Sequence, residues 1–140
     1  MSTPIPNMQA EPFQQRVNRW VVECFGETIA NDTTERNHRF LEEALELVQS
    51  LGCTRSEVMQ LVDYVFARSA GEPSQEVGGV TVTLASLCSA SNLDMQNAAE
   101  VELHRISDPV ITNKIRAKHA AKPKYAPMQA NKTAYRFCCR

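Results

Sequence analysis

Between Thr34 and Leu51, apolar residues recur every three to four positions: Phe40, Ala44, Leu47, Val48 and Leu51, widened by Leu41 and Leu45. That spacing puts them on one side of an α-helix. The stripe is wider than a single contact needs, so it predicts burial on more than one side, as in a bundle or at an interface between protomers. The same stretch carries Glu42, Glu43 and Glu46. Residues three and four apart are neighbours on a helix, so Glu43 meets Glu46, and so does Glu42. Like charges at that spacing cost a bare helix about 0.2–0.5 kcal/mol per pair. Two arrangements offset the repulsion. One is a solvated acidic face eased by Arg39, one turn before Glu42 and Glu43. The other is a divalent cation, because hard cations take carboxylate oxygens as ligands.

The rest of the chain is built the same way. A first helix is predicted over Pro12–Phe25, with Phe13, Val17, Trp20 or Val21, and Cys24 at helical spacing and Gly26 as its stop. Gly26–Asp32 reads as a connector, and Asp32, Thr33 or Thr34 caps the next helix. Gly52 suits the position just past that helix. Thr54 and Glu57 form a capping-box pattern ahead of a third helix whose buried side is Val58, Leu61, Val62, Val65 and Phe66. Arg68–Pro73 is a turn. In Pro73–Asn92, Val80–Leu84 alternates like a strand, but Val77, Val80, Leu84, Leu87 and Ser91 also fit a helix. The segment is long for a strand, so a helix is predicted. It contains Gly78 and Gly79, each about 1 kcal/mol worse there than alanine. Such a pair leaves room for a group close to the backbone, or for a tight helix–helix contact. Asp94 caps a fifth helix over Met95–Ile106, Pro109 breaks or kinks it because Ser107-Asp108-Pro109 reads as a turn or a new helix start, and Val110–Lys118 continues as a basic helix. The expectation is an all-α bundle of about five helices, completed by oligomerisation.

At 140 residues the chain is one domain, long enough to bury a core without staples. No apolar run approaches the ~18 residues of a membrane span, and residues 1–14 lack the basic and apolar regions of a signal peptide. The five cysteines have no metal-like spacing; Cys24, Cys53 and Cys88 read as small core hydrophobes, and Cys138-Cys139 as incidental. A reduced, cytoplasmic protein is expected. Net charge is −1 but unevenly spread. Up to Asp108 there are seven basic and 16 acidic residues, a balance of −9; the remainder carries +8. Residues 1–10, with Pro4 and Pro6, are expected to be a flexible lead-in, and 119–140 a basic tail, disordered or draped over a neighbour. Such a tail either solubilises or contacts nucleic acid, anionic lipid, an acidic subunit or a polyphosphate. Nucleic acid is not expected for the acidic body. No phosphate-binding loop, dinucleotide fingerprint or zinc motif is present, and His38, His104 and His119 are scattered. What remains is carboxylate chemistry on helices: Glu42, Glu43 and Glu46, then Glu76.

At this point a family resemblance enters. Leu41-Glu42-Glu43-Ala44-Leu45-Glu46-Leu47 resembles the EExxE helix of the all-α nucleoside triphosphate pyrophosphohydrolases, the MazG-like group that includes dimeric dUTPases and phosphoribosyl-ATP pyrophosphohydrolases. Gln75-Glu76-Val77-Gly78-Gly79-Val80 stands where that family has an ExxD motif on a later helix. Trp20 in an N-terminal helix and Asn113-Lys114 in a late one are also family-like. The resemblance covers Phe13–Lys118, making 11–118 a MazG-like pyrophosphohydrolase domain, and is greatest to small bacterial and phage members.

The resemblance implies Mg2+-dependent (or Mn2+-dependent) cleavage of a (deoxy)nucleoside triphosphate at the α–β phosphoanhydride, giving the monophosphate and pyrophosphate. The metal neutralises phosphate charge and lowers the pKa of a bound water. By motif match Glu43 and Glu46 are catalytic and ligate the metal, with Glu76 as the third ligand. Glu42 is a ligand, a base or a surface residue. Arg39 and Lys114 are the candidates to meet the phosphates, and Trp20 and Asn18 to line the base pocket. A homodimer or homotetramer is implied, and no membrane. The sequence departs from the pattern at Gly79, where the family has its fourth carboxylate. Asp63 is a replacement by residue type alone. The alternative is a non-catalytic helical oligomer with a degenerate metal site, sensing nucleotide or binding nucleic acid or a partner through its tail.

Overall fold

Side-chain caps mark most of the helix starts. In a computed structural model, which describes residues 11–122, all regular structure is helical: α1 (Phe13–Phe25), α2 (Glu27–Ala30), α3 (Thr33–Ser50), α4 (Arg55–Phe66), α5 (Pro73–Ala90), α6 (Met95–Ile106) and α7 (Pro109–Ala121). Asp32, Glu72, Asp94 and Asp108 each accept a hydrogen bond from a first-turn amide of α3, α5, α6 and α7. Thr54 and Glu57 form the full reciprocal box at α4. Each satisfies an amide that has no partner inside its helix. Gly52, at φ 91°, and Asn92, at φ 55°, follow α3 and α5 in the left-handed conformation that ends helices.

The helices number seven among the described residues, against about five expected. The expected connector contains α2, a single turn that begins after Gly26 reverses the chain at φ 84°. Pro109 breaks the old helix and starts a new one, as one of the two readings of Ser107–Pro109 has it, and Asp108 accepts from the amides of Val110 and Ile111. The alternating segment Val80–Leu84 is helical, within α5. α7 runs on to Ala121, so His119–Ala121 belong to a helix and not to a tail. The lead-in, the rest of the tail and Cys138-Cys139 lie outside the described residues.

Packing is uneven. The pairs in closest association are α1 with α2 and α7, and α6 with α5 and α7; α4 is in none of them. Only Cys24 on α1, Cys88 on α5 and Leu103 on α6 are buried among the described residues. The predicted apolar side of α4 is not buried in the protomer: Leu61, Val62, Val65 and Phe66 are all exposed, Phe66 by 84%. The α3 stripe is likewise open at Phe40, Leu41, Leu45 and Leu51, while Ala44, Leu47 and Val48 are half-buried. The physical reason is that no described element lies over these faces. The helices formed as their periodicity predicts, but the described residues do not supply the surfaces that would bury these faces.

Candidate functional site

The three α3 carboxylates separate into two kinds. Glu42 accepts two bonds from Lys122 Nζ, at 2.9 and 3.0 Å, and is paired with Arg39. The bond from Lys122 holds its carboxyl below the ordinary value, with the charges of Arg39 and Lys118 acting the same way against partial desolvation. Two turns earlier, Glu35 lies 3.1 Å from His119 Nε2 and 3.2 Å from Arg39 Nε. Glu35 and Glu42 therefore hold the last turn of α7 against α3. Glu43 and Glu46 are exposed, and among the described residues neither is in an ion pair.

Glu76 sits in the first turn of α5. Its carboxylate folds back over Gly71, where a Cβ would collide with Oε1. With Pro73, Val77, Val80, Thr81 and Leu84 of the same helix, Glu76 walls a cleft of 980 Å³. Asn37 and Phe40 of α3 form the opposite wall, and Phe13, Met95, Gln96, Ala99 and Glu100 close the ends. Thus α3 and α5 share a cavity. Of the three carboxylates that the resemblance assigns to a metal, only Glu76 lines it. Among the described residues no three His, Cys, Asp or Glu side chains form a group suited to a metal ion. Mg2+ takes near-octahedral oxygens at about 2.0–2.1 Å, and the described residues do not group Glu43, Glu46 and Glu76 around one point. Around Gly78 and Gly79 there is open space, so neither glycine serves a tight helix contact here.

The candidate substrate residues lie apart. Trp20 lines a polar groove of 480 Å³ with Arg16, Arg19, Glu100, His104 and Arg116. Its indole N–H donates to the Ile106 carbonyl at 3.0 Å, and its ring stands edge-on to Phe25 at 5.9 Å. That is a packing role with one face left on the groove. Asn18 borders a separate hollow of 440 Å³ with Pro12, Gln14, Gln15 and Arg19. Arg39 lines a third cavity, of 590 Å³, with His38, Asp32, Thr34, His119 and Lys122. Lys114 is exposed on α7 and borders none of the four.

Sequence reasoning missed the groups that organise these cavities. Arg16 clasps Glu100 with both terminal nitrogens, which raises the Arg16 pKa and lowers that of Glu100. Arg116 donates to the Cys24 carbonyl at 2.8 Å and the Glu23 carbonyl at 2.9 Å, satisfying acceptors at the open end of α1. Burial raises the Cys24 thiol pKa, against the pull of Arg116. Thr112 joins Trp20 on the Ile106 carbonyl, at 2.6 Å. Apart from Thr112 and Ile106, these partners lie far apart along the chain, and no local spacing marks them. The apolar cleft did have a signal, since Phe40, Val77, Val80 and Leu84 were all on predicted apolar faces.

No protein-family model, curated protein or solved structure matches this chain.

Proposed function

We propose that the protein is a self-associating helical enzyme of the cytoplasm that hydrolyses a (deoxy)nucleoside triphosphate between its α and β phosphates, releasing the monophosphate and pyrophosphate. One observation carries this reading. Ion pairing claims Glu42 but leaves Glu43 and Glu46 without a charged partner among the described residues, on the helix that shares a cleft with Glu76. Glu43 and Glu46 are then the catalytic carboxylates, with Glu76 as the third ligand to Mg2+ (or Mn2+). Trp20, Asn18, Arg39 and Lys114 are the residues assigned to the nucleotide. Assembly into a homodimer or homotetramer is part of the reading, because one protomer leaves these carboxylates apart. Exposed apolar surface in quantity marks interaction sites, and α3, α4 and α5 carry several exposed large apolar side chains. The test is a panel of nucleoside triphosphates with Mg2+, read for monophosphate and pyrophosphate. Glu43→Ala and Glu46→Ala abolish the products, and Gly79→Asp, which has open space to occupy, raises the yield.

The dispersed carboxylates and Gly79 favour a second reading, a non-catalytic helical oligomer that binds nucleotide, or that binds nucleic acid or a partner through its basic tail. A nucleotide-dependent rise in Tm with no product identifies the first form. Salt-sensitive nucleic-acid binding identifies the second.

A further inference from the structure

Beyond its first turn α5 carries no charge: from Val77 to Leu93 there is no Asp, Glu, Lys, Arg or His. A helix without charge on any side belongs inside an assembly, yet α5 is exposed from its start through Thr83. At about 100° per residue, Val77, Val80 and Leu84 share the side that lines the 980 Å³ cleft. Gly78, Gly79, Val82 and Ser86 share the opposite side. Val82 is 69% exposed there, and nothing stands within 4 Å of where a Cβ of either glycine would be. Glycine is the costliest helix residue after proline, and no contact within the protomer offsets the pair.

The end of α4 supplies the complement. Ala67–Glu72 joins it to α5, and Tyr64, Val65 and Phe66 are exposed at that end. Gly78 is about 8 Å along α5 from Pro73, so bulk on α4 and a gap on α5 lie at the same end of the helix pair. In a two-fold contact one patch serves both partners, and the bulk of each copy meets the gap of the other. Side chains near the axis meet their own counterparts, and like charges there repel. A face free of charge avoids that repulsion, whereas a face for an unlike partner gains from charge complementary to it. The area also suffices. Tyr64, Val65, Phe66 and Val82, with the glycines and hydroxyls beside them, present roughly 700 Å², close to the about 800 Å² that each partner gives a standard interface.

We propose that Gly78, Gly79, Val82 and Ser86 of α5, with the end of α4, form the contact between two copies of this chain, related by a two-fold axis near Val82. The proposal rests on the self-association in the reading above and names its surface. It uses neither the cleft nor Glu43, Glu46 and Glu76.

Sedimentation of the full chain reads the oligomeric state, which does not depend on whether any nucleotide is hydrolysed. The wild-type chain is expected to associate at micromolar concentration. Val82→Glu and Val82→Lys, each alone, are expected to raise the Kd for self-association by at least about 100-fold, because like charges then meet at the axis, with helicity retained in circular dichroism. An equal mixture of the two variants is expected to associate again, since unlike charges face each other, a recovery that misfolded chains do not give. Val110→Glu, at a 62% exposed site on α7, is expected to associate as the wild type does. A monomeric wild-type chain, Val82 variants that associate as tightly as the wild type, a mixture that stays apart, or equal weakening by Val110→Glu overturns the proposal.

Discussion

The end of α1 and the start of α5 are both helices with regularly spaced apolar residues, yet they have opposite fates in the protomer. Around the end of α1, Cys24 and Leu103 are buried, Trp20 and Thr112 share the Ile106 carbonyl, and Arg116 ties α7 to the Cys24 and Glu23 carbonyls. From Met59 to Thr83, by contrast, every residue is exposed. In that stretch the hydrogen bonds link near neighbours on the chain, as from Thr81 Oγ1 to the Val77 carbonyl. Amphipathicity thus specifies that a helix forms and which face seeks cover, but not whether the same chain supplies it. The packed half draws on side chains from α1, α6 and α7. The open half holds Glu76, the glycine pair and most of the uncovered apolar surface.

The largest expected effect tests the packed half. Leu103→Ala removes a buried side chain and is expected to lower unfolding free energy by about 2–5 kcal/mol in urea denaturation. Leu61→Ala, at a site 57% exposed, is expected to change protomer stability far less, by about 0.5 kcal/mol or under. Equal losses at the two sites remove the distinction between the halves. Arg116→Ala comes next, at about 1.5–3 kcal/mol, because a charged donor leaves two backbone carbonyls. Its thermal unfolding is expected to show the loss while helicity is retained.

Smaller effects sharpen the comparison in the open half. Gly78→Ala is expected to stabilise α5 by about 1 kcal/mol through propensity alone, since nothing stands where its Cβ would go. Sedimentation of the same variant shows whether a second copy packs there: weaker association locates an interface at Gly78, and unchanged association excludes one. The smallest effect is electrostatic. The bond from Lys122 depresses the Glu42 pKa below its usual 4.5 in the folded state. A depressed carboxylate contributes stability that is complete above the unfolded-state pKa and is lost as pH falls through the folded-state one. Acidification below about 4.5 is therefore expected to loosen α7 from α3. With both side chains partly exposed, the term is about 1 kcal/mol or less. Glu42→Gln is expected to flatten the acid limb of a stability-versus-pH curve, and an unchanged limb contradicts the assignment.

Helix formation was largely legible because its signals are local. The Thr54–Glu57 box, the Asp94 cap and the choice of helix for Pro73–Asn92 all rest on residues within a turn or two of each other. The single turn α2 and the extension of α7 were not legible. The first is too short to show a period, and the second is held by Glu35 and Glu42, some 80 residues away in sequence. The same limit applies to the candidate site. Helical spacing grouped Glu42, Glu43 and Glu46, but only the fold reveals that Lys122 removes Glu42 from that group. The predicted nucleotide contacts, Trp20, Asn18, Arg39 and Lys114, came from different helix faces, and no local pattern can tell whether such faces meet.

The central claim is that Glu43 and Glu46 carry a hydrolytic reaction. The most direct measurement incubates the full chain with each (deoxy)nucleoside triphosphate and Mg2+, alongside Glu43→Ala and Glu46→Ala at matched helicity and oligomeric state. The account predicts equimolar monophosphate and pyrophosphate from the wild-type chain and a loss of at least about 100-fold in both variants, the scale of a removed catalytic group. Absence of these products from every nucleotide, or a rate that both variants retain, contradicts it.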